Sequence, residues 1–232
     1  MSSREGLSAG SPPRRSALSP SQENYLKQIY LLGEDGRAVP TQVLADRLEV
    51  RPASVTGMVQ RLAEQRLVRH EPYRGVRLTS DGRKAALVVL RHHRLLETFL
   101  ARVLGYGWDE VHDEAERLEH VISDRFVARM AESMGHPTHD PHGDPIPDAD
   151  LRMPREEPLV DLASLQAGSR AVVIRVGCQD PECLSALGDL GLIPGAALEV
   201  LEAGDERVVI EVCDEERALP TEQARELWLR RE

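Results

Sequence analysis

The chain has 232 residues, 41% of them hydrophobic, and a formal net charge of −10. That length accommodates two domains with their own cores, and no apolar stretch approaches the roughly 20 residues of a membrane span, which excludes a helical membrane protein. Three cysteines, Cys178, Cys183 and Cys213, form no CxxC pair and are odd in number, which argues against a disulfide framework and against a closed zinc module with four thiolates.

The net charge conceals a division. Residues 1–84 carry 14 Lys+Arg and 9 Asp+Glu, a net of +5, whereas residues 85–232 carry 15 and 30, a net of −15. A basic N-terminal part suits phosphates, and an acidic remainder suits cations. Residues 1–20, rich in Ser, Pro, Gly and Arg, have no apolar run followed by a cleavage site; they read as a disordered basic tail, with the cytoplasm as the default location.

Residues 21–84 read as one unit. Pro40–Leu48 makes a short amphipathic helix, Glu49-Val50-Arg51 a tight connection, and Pro52 opens a second helix at a position where its missing N–H costs little. Val55, Met58, Val59 and Leu62 take the core face, turning Ser54, Thr56, Gln60 and Arg61 elsewhere. Leu67–Glu71 and Val76–Thr79, joined through Arg74, make a basic hairpin with Arg69 and Arg77. A helix-turn-helix with a wing results, and Arg51, Pro52, Ser54, Thr56, Gln60, Arg61 and Arg74 are its candidate DNA contacts.

Residues 85–135 read as two long helices, 80–104 and 109–134. Leu87, Leu90, Leu95, Leu96, Phe99 and Leu100 on the first, and Val111, Ala115, Leu118, Ile122, Phe126 and Met130 on the second, exceed what one small winged domain needs, which predicts a homodimer interface. Beside the stripe, His93 and Glu97 lie one turn apart, as do His112, Glu116 and His120, with Glu119 alongside. Imidazoles and carboxylates without thiolate favour a hard, higher-coordinate ion such as Mn(II) or Fe(II) over structural zinc. The proline- and aspartate-rich residues 136–160 read as an extended linker. Residues 161–232 then read as a small β domain, a partly open barrel with strands over Arg170–Val176, Ala197–Leu201 and Arg207–Val212.

The winged helix-turn-helix, His93-x3-Glu97, His112-x3-Glu116-x2-Glu119-His120, the proline-rich linker and the terminal β domain together resemble the diphtheria toxin repressor family of iron- and manganese-dependent regulators. The resemblance implies a mainly α protein with a small β domain: a winged helix-turn-helix, a helical dimerisation and metal-binding domain, and a C-terminal SH3-like barrel similar to ferrous iron transport protein A, recognisable in Leu187–Gly195. It implies an activating site of Glu116, Glu119 and His120 completed by Asn24, and an ancillary site of His93, Glu97 and His112. Iron-selective members have Cys where this chain has Glu116, and manganese-selective members have a carboxylate, so Mn(II) is the expected ion and Fe(II) the alternative. Asp140-Pro141-His142 resembles a linker motif of manganese members with Cys in place of Asp140, and Asp180 and Cys183 match the point where the terminal domain reaches the ancillary site. The expected activity is metal-activated repression of metal-uptake genes through double-stranded operator DNA. The alternatives are a metal-independent winged-helix regulator and a metallohydrolase, the latter without a nucleophile motif.

Overall fold

The computed structural model describes residues 18–33, 37–71 and 73–232; most of the expected N-terminal tail lies outside them. The chain forms two compact units, Met1–Leu90 and Arg91–Glu232. In the first, helix α1 (Pro20–Leu32) opens on a capping box in which Ser19 and Gln22 exchange hydrogen bonds, with Pro20 in the first turn. Helices α2 (Thr41–Arg47) and α3 (Pro52–Glu64) come next, and Glu49 makes the turn between them with φ of 53°. Val55, Met58, Val59 and Leu62 are the buried face of α3, as their spacing predicts.

Strands β1 (Val68–Glu71) and β2 (Gly75–Leu78) pair antiparallel as the wing, and Val39 adds a bridge to Val76. At Gly75 φ is +117°, and a Cβ there would lie 2.0 Å from the Val39 carbonyl oxygen. Only glycine lets the wing approach the backbone at Val39 so closely.

Helix α4 (Ser80–Phe99) begins in the first unit and ends in the second, closing in a π-helical turn, Leu100–Leu104, where Gly105 N–H donates to the Leu100 carbonyl. The single helix expected over 109–134 is two: α5 (Val111–Leu118) and α6 (Asp124–Ser133). Ser123 explains the break, because its hydroxyl accepts from Phe126 N–H and Asp124 places a negative charge in the new first turn. Leu95, Leu96 and Leu100 pack with Val111, Ala115, Val127, Met130 and Ile146 in one core. Of the apolar residues read as spare on α4, Leu95, Leu96 and Leu100 are therefore consumed within the unit. What stays exposed is Val103, Leu104, Tyr106, Val121 and Phe126.

Residues 136–159 lack regular secondary structure but are not simply extended: Asp140, His142, Gly143, Pro145, Ile146 and Pro147 are buried. The terminal region is a six-stranded antiparallel sheet in the order β3-β8-β4-β5-β6-β7. Its strands are β3 (Val160–Asp161), β4 (Arg170–Val176), β5 (Ala197–Ala203), β6 (Arg207–Val212), β7 (Glu215–Pro220) and β8 (Leu227–Arg231). Bulges at Val173/Arg175 and Val200/Glu202 bend it. Helix α7 (Pro181–Asp189) closes the core with Leu184 and Leu187, and α8 (Thr221–Ala224) is a single turn. Among the described residues no helix is long and apolar enough to cross a membrane.

Candidate metal centre

The second half of α4 carries His93 and Glu97, four residues apart and on one face. Helix α5 presents His112 and Glu116 in the same way, with Glu119 at its C-cap and His120 in the turn beyond. His93 is the junction of the group. Its Nδ1 lies 2.6 Å from Glu119 Oε2, and its Nε2 lies 3.0 Å from Glu97 Oε1 and 3.2 Å from His112 Nδ1. His112 Nδ1 is 3.1 Å from the same Glu97 oxygen, and His120 Nε2 is 3.3 Å from Glu119 Oε1. His93, Glu97 and Glu119 are buried, so their charges interact with little screening by water.

A third element enters from the irregular segment after α6. Asp140 Oδ1 accepts the backbone N–H groups of His142 and Asp144 at 2.9 and 3.0 Å, folding residues 140–144 into a tight turn. The turn is docked at both faces. His142 carbonyl accepts Val176 N–H at 2.9 Å, while His142 Nε2 lies 2.7 Å from the Trp108 carbonyl oxygen, with the two rings 5.8 Å apart. Gly143, at φ +87°, packs so close to β4 that a Cβ would stand 1.9 Å from the Ile174 carbonyl oxygen. Arg94, buried on α4, holds the same turn: its Nη1 donates to the Pro145 carbonyl at 2.6 Å, and its guanidinium lies 3.7 Å from Asp140 Oδ2 and 3.3 Å from Asp144 Oδ1.

The two central carboxylates are pushed in opposite directions. Burial raises the pKa of Glu97, but the charge of His93, hydrogen bonds from His112 and His93, and the charge of His142 together outweigh it, so Glu97 is held well below its ordinary value. Asp140 is raised well above, first by burial and then by the charges of Glu97 and Asp144; Arg94 and the Asp144 N–H only partly offset them. Crowded carboxylates around one arginine leave the pocket short of positive charge.

Three sets of ligand atoms converge, each with all its atoms within 4.8 Å of one another: His93, Glu97 and His112; His93, Glu116 and Glu119; and Glu97, Asp140 and His142. The expected ancillary trio is thus assembled, and the linker pair Asp140 and His142 joins it through Glu97. Of the expected activating set, Glu116 and Glu119 converge with His93, and His120 stands beside Glu119. Asn24 lies on α1 in the other unit, where its Oδ1 is buried with no hydrogen-bond partner. Asp180 is not brought to these sets: it caps α7, accepting Cys183 N–H at 2.9 Å, and converges only with Cys178 and Cys183. Those two cysteines are joined as a disulfide, a single pairing that the reading against a disulfide framework did not anticipate; its five-residue separation matches no metal or redox spacing that would have announced it.

The donor set fits a divalent cation. It offers carboxylate and imidazole groups from α4, α5 and the 140–144 turn, with no cysteine among the described ligand sets, and a cation would relieve the repulsion from Glu97 and Asp144 that adds to burial in lifting Asp140. Spacing along the chain points to the helical ligands but is silent on Arg94, Asp144 and Trp108. Their roles arise only when the 140–147 segment docks.

On the first unit the candidate DNA contacts are presented outward. Arg51, at the N-cap of α3, and Pro52, Ser54, Thr56, Gln60, Arg61 and the wing residue Arg74 are all exposed. Thr56 hydroxyl and Arg61 Nε bond back to the carbonyls of Pro52 and Gly57 at 3.2 and 3.3 Å, which orients them along the helix. Arg77 of the wing is paired with Glu71 at 2.8 Å.

The chain matches three family models in succession: the iron dependent repressor N-terminal DNA binding domain over residues 17–76, the iron dependent repressor metal binding and dimerisation domain over 79–148, and the FeoA domain over 160–231. It is 36% identical over 222 residues to the iron-dependent repressor IdeR of Mycobacterium leprae, covering 89% of this chain and 95% of that protein. Over 130 residues it is 39% identical to the diphtheria toxin repressor of Corynebacterium efficiens, 56% of each chain. Among solved structures, a manganese-dependent transcriptional repressor in complex with manganese aligns with a TM-score of 0.83 at 37% identity, over 91% of this chain and 100% of that one. The repressor ScaR with bound Zn2+ aligns with a TM-score of 0.76 at 31% identity, over 90% and 98%. These are transcriptional repressors and not enzymes, which removes the metallohydrolase alternative. With a winged reading head, a buried imidazole and carboxylate cluster and a small terminal sheet all in family order, the chain belongs to the iron-dependent repressor family of metal-responsive DNA-binding transcriptional repressors.

Proposed function

We propose that this protein is a Mn(II)-activated repressor that binds operator DNA as a homodimer in the cytoplasm and limits expression of divalent-metal uptake genes. The observation that carries the choice of ion is the donor set. Glu116 supplies a carboxylate beside His93 and Glu119, and among the described residues no cysteine joins any of the helical sets. Oxygen and imidazole donors suit Mn(II), whereas sulfur would favour softer ions. Bound there, the ion supplies positive charge that the cluster itself lacks.

The protein's own groups do the rest. His93 and Glu97 on α4 and His112, Glu116 and Glu119 on α5 tie two helices together, and Asp140 and His142 fasten the turn from the terminal side. In the reading head, Arg51, Arg61 and Arg74 neutralise phosphates while Ser54, Thr56 and Gln60 reach base edges. If the ion favours the DNA-binding arrangement, DNA must favour the ion by the same factor. An ion bound equally well by both arrangements would change nothing.

Fe(II) is the second reading, supported by the iron-dependent name of the curated relatives. Fluorescence anisotropy with operator DNA at fixed salt, in Mn(II) and in anaerobic Fe(II), decides between them. Tighter binding with Mn(II) at the lower ion concentration is expected. Equal binding by metal-free and Mn(II)-loaded protein would overturn activation itself.

A further inference from the structure

The region between β4 and α7 contains chemistry that metal-dependent repression does not use. Cys178 and Cys183 are partly buried against the terminal core and joined sulfur to sulfur, with Cα atoms 6.5 Å apart, within the range a disulfide needs. Around them Asp180, Pro181 and Glu182 are exposed, so a small oxidant or reductant reaches the loop. A DNA-binding regulator works where thiols are normally kept reduced, and disulfides there are usually transient and redox-sensing. Cys213 is the third cysteine, exposed and unpaired in a separate turn.

Position makes the pair consequential. Cys178 lies two residues after Val176, whose N–H holds the His142 carbonyl, and Gly177 N–H between them is fixed to the Glu226 carbonyl at 2.6 Å. Cys183 lies in the first turn of α7. Further along that helix, a Cβ on Gly188 would stand 3.1 Å from Trp108 Nε1, and the Trp108 carbonyl lies 2.7 Å from His142 Nε2. The backbone of His142 is thus held by the strand that leads into Cys178, and its ring by the residue packed on the helix that Cys183 opens. A covalent link from 178 to 183 fixes strand and helix to each other, and with them both holds on His142.

We infer that Cys178 and Cys183 form a peroxide-oxidisable dithiol site whose disulfide locks the 140–144 turn against β4 and α7. In the balanced step, one thiolate attacks the O–O bond of hydrogen peroxide, forming a sulfenic acid and releasing hydroxide, which is protonated to water. The second thiolate attacks that sulfur, forming the S–S bond and expelling a second hydroxide, again protonated to water. Two thiols are oxidised by two electrons and one peroxide is reduced to two waters. The inference concerns the redox chemistry of the fold and stands whether or not the helical cluster holds Mn(II).

The test uses the full chain carrying Cys213→Ser, fully reduced and then treated with hydrogen peroxide, without added metal. Peptide mass mapping is expected to find a Cys178–Cys183 link in the monomer, reversed by dithiothreitol. Hydrogen exchange on the same protein in its two redox states is expected to slow at Val176 and Asp144 by at least about threefold on oxidation, because the local opening that exposes them is restrained. Absence of the intramolecular link, or a preference for links between chains, would overturn the site. A mapped link with unchanged exchange at both amides would overturn its hold on His142.

Discussion

Gly143→Ala offers a sharp test of whether the 140–144 turn is clamped to β4. At φ +87° an L side chain costs roughly 1–2 kcal/mol. The new Cβ would lie 1.9 Å from Ile174 O, so the turn must retreat by about 1.1 Å to reach even a 3.0 Å contact. That retreat stretches the 2.9 Å hydrogen bond from Val176 N–H to the His142 carbonyl toward 4 Å, past any useful geometry, for a further loss of about 1 kcal/mol. The sum is about 2–3 kcal/mol, which for a unit of this size lowers Tm by roughly 5–10 °C. Calorimetric unfolding of the metal-free protein reads the shift, and Mn(II) titration of the same variant reads the displacement of Asp140 and His142 from Glu97. A Tm within about 2 °C of the wild type, or an unaltered Mn(II) isotherm, would refute the clamp.

Other outcomes rest on the same geometry. Glu116→Ala removes an oxygen donor from the set with His93 and Glu119; calorimetry is expected to show one fewer Mn(II) per chain and anisotropy a loss of Mn(II)-dependent operator affinity, whereas an unchanged stoichiometry counts against the set. Arg51→Ala removes an exposed cation at the start of α3; operator affinity should fall and the slope of log K against log salt should flatten by about 0.9, one phosphate contact. Asp140 favours its protonated form on folding, so its contribution is whole below the ordinary carboxylate range, about pH 3.9, and is lost as pH rises through its raised pKa. Metal-free Asp140→Asn should therefore gain stability over the wild type as pH rises from 4 toward neutral, read as urea midpoints. Glu97 has the opposite sign: its contribution is present above about pH 4.3 and is lost as pH falls through its depressed pKa. Glu97→Gln should show its largest deficit near neutral pH, shrinking in acid, and a difference independent of pH in either variant would contradict the electrostatic account.

The legible part of the chain is local. The apolar periods of α3, β4 and β6 locate those elements to within a residue or so, and the i, i+4 spacing of His93 with Glu97 and of His112 with Glu116 puts each pair on one helical face before any tertiary contact is known. The join between α5 and α6 is hidden because the apolar positions from Val111 to Met130 keep helical phase across the break; the cap at Ser123, a weaker signal, prevails because it satisfies a backbone N–H that the turn leaves open. Asp140 and His142 are legible only through the resemblance. Arg94 and Trp108 are not legible at all, since each acts on residues more than thirty positions away through docking that no short window encodes. Asp180 is ambiguous for a related reason: an aspartate before a proline-led helix serves equally well as a ligand or as an N-cap, and its cap is what the structure shows.

The π-helical end of α4 has an outcome for how an apolar surface can arise. Three and four residues beyond buried Leu100, an undisturbed α-helix would return Val103 and Leu104 to the core side, yet they are 52% and 57% exposed. The helix ends at Gly105, which takes a left-handed φ of 76° directly after them, so they stand at the open end of the helix with no further helical turn beyond. The place where the helix stops, rather than composition alone, thus leaves this apolar edge open for another surface to meet.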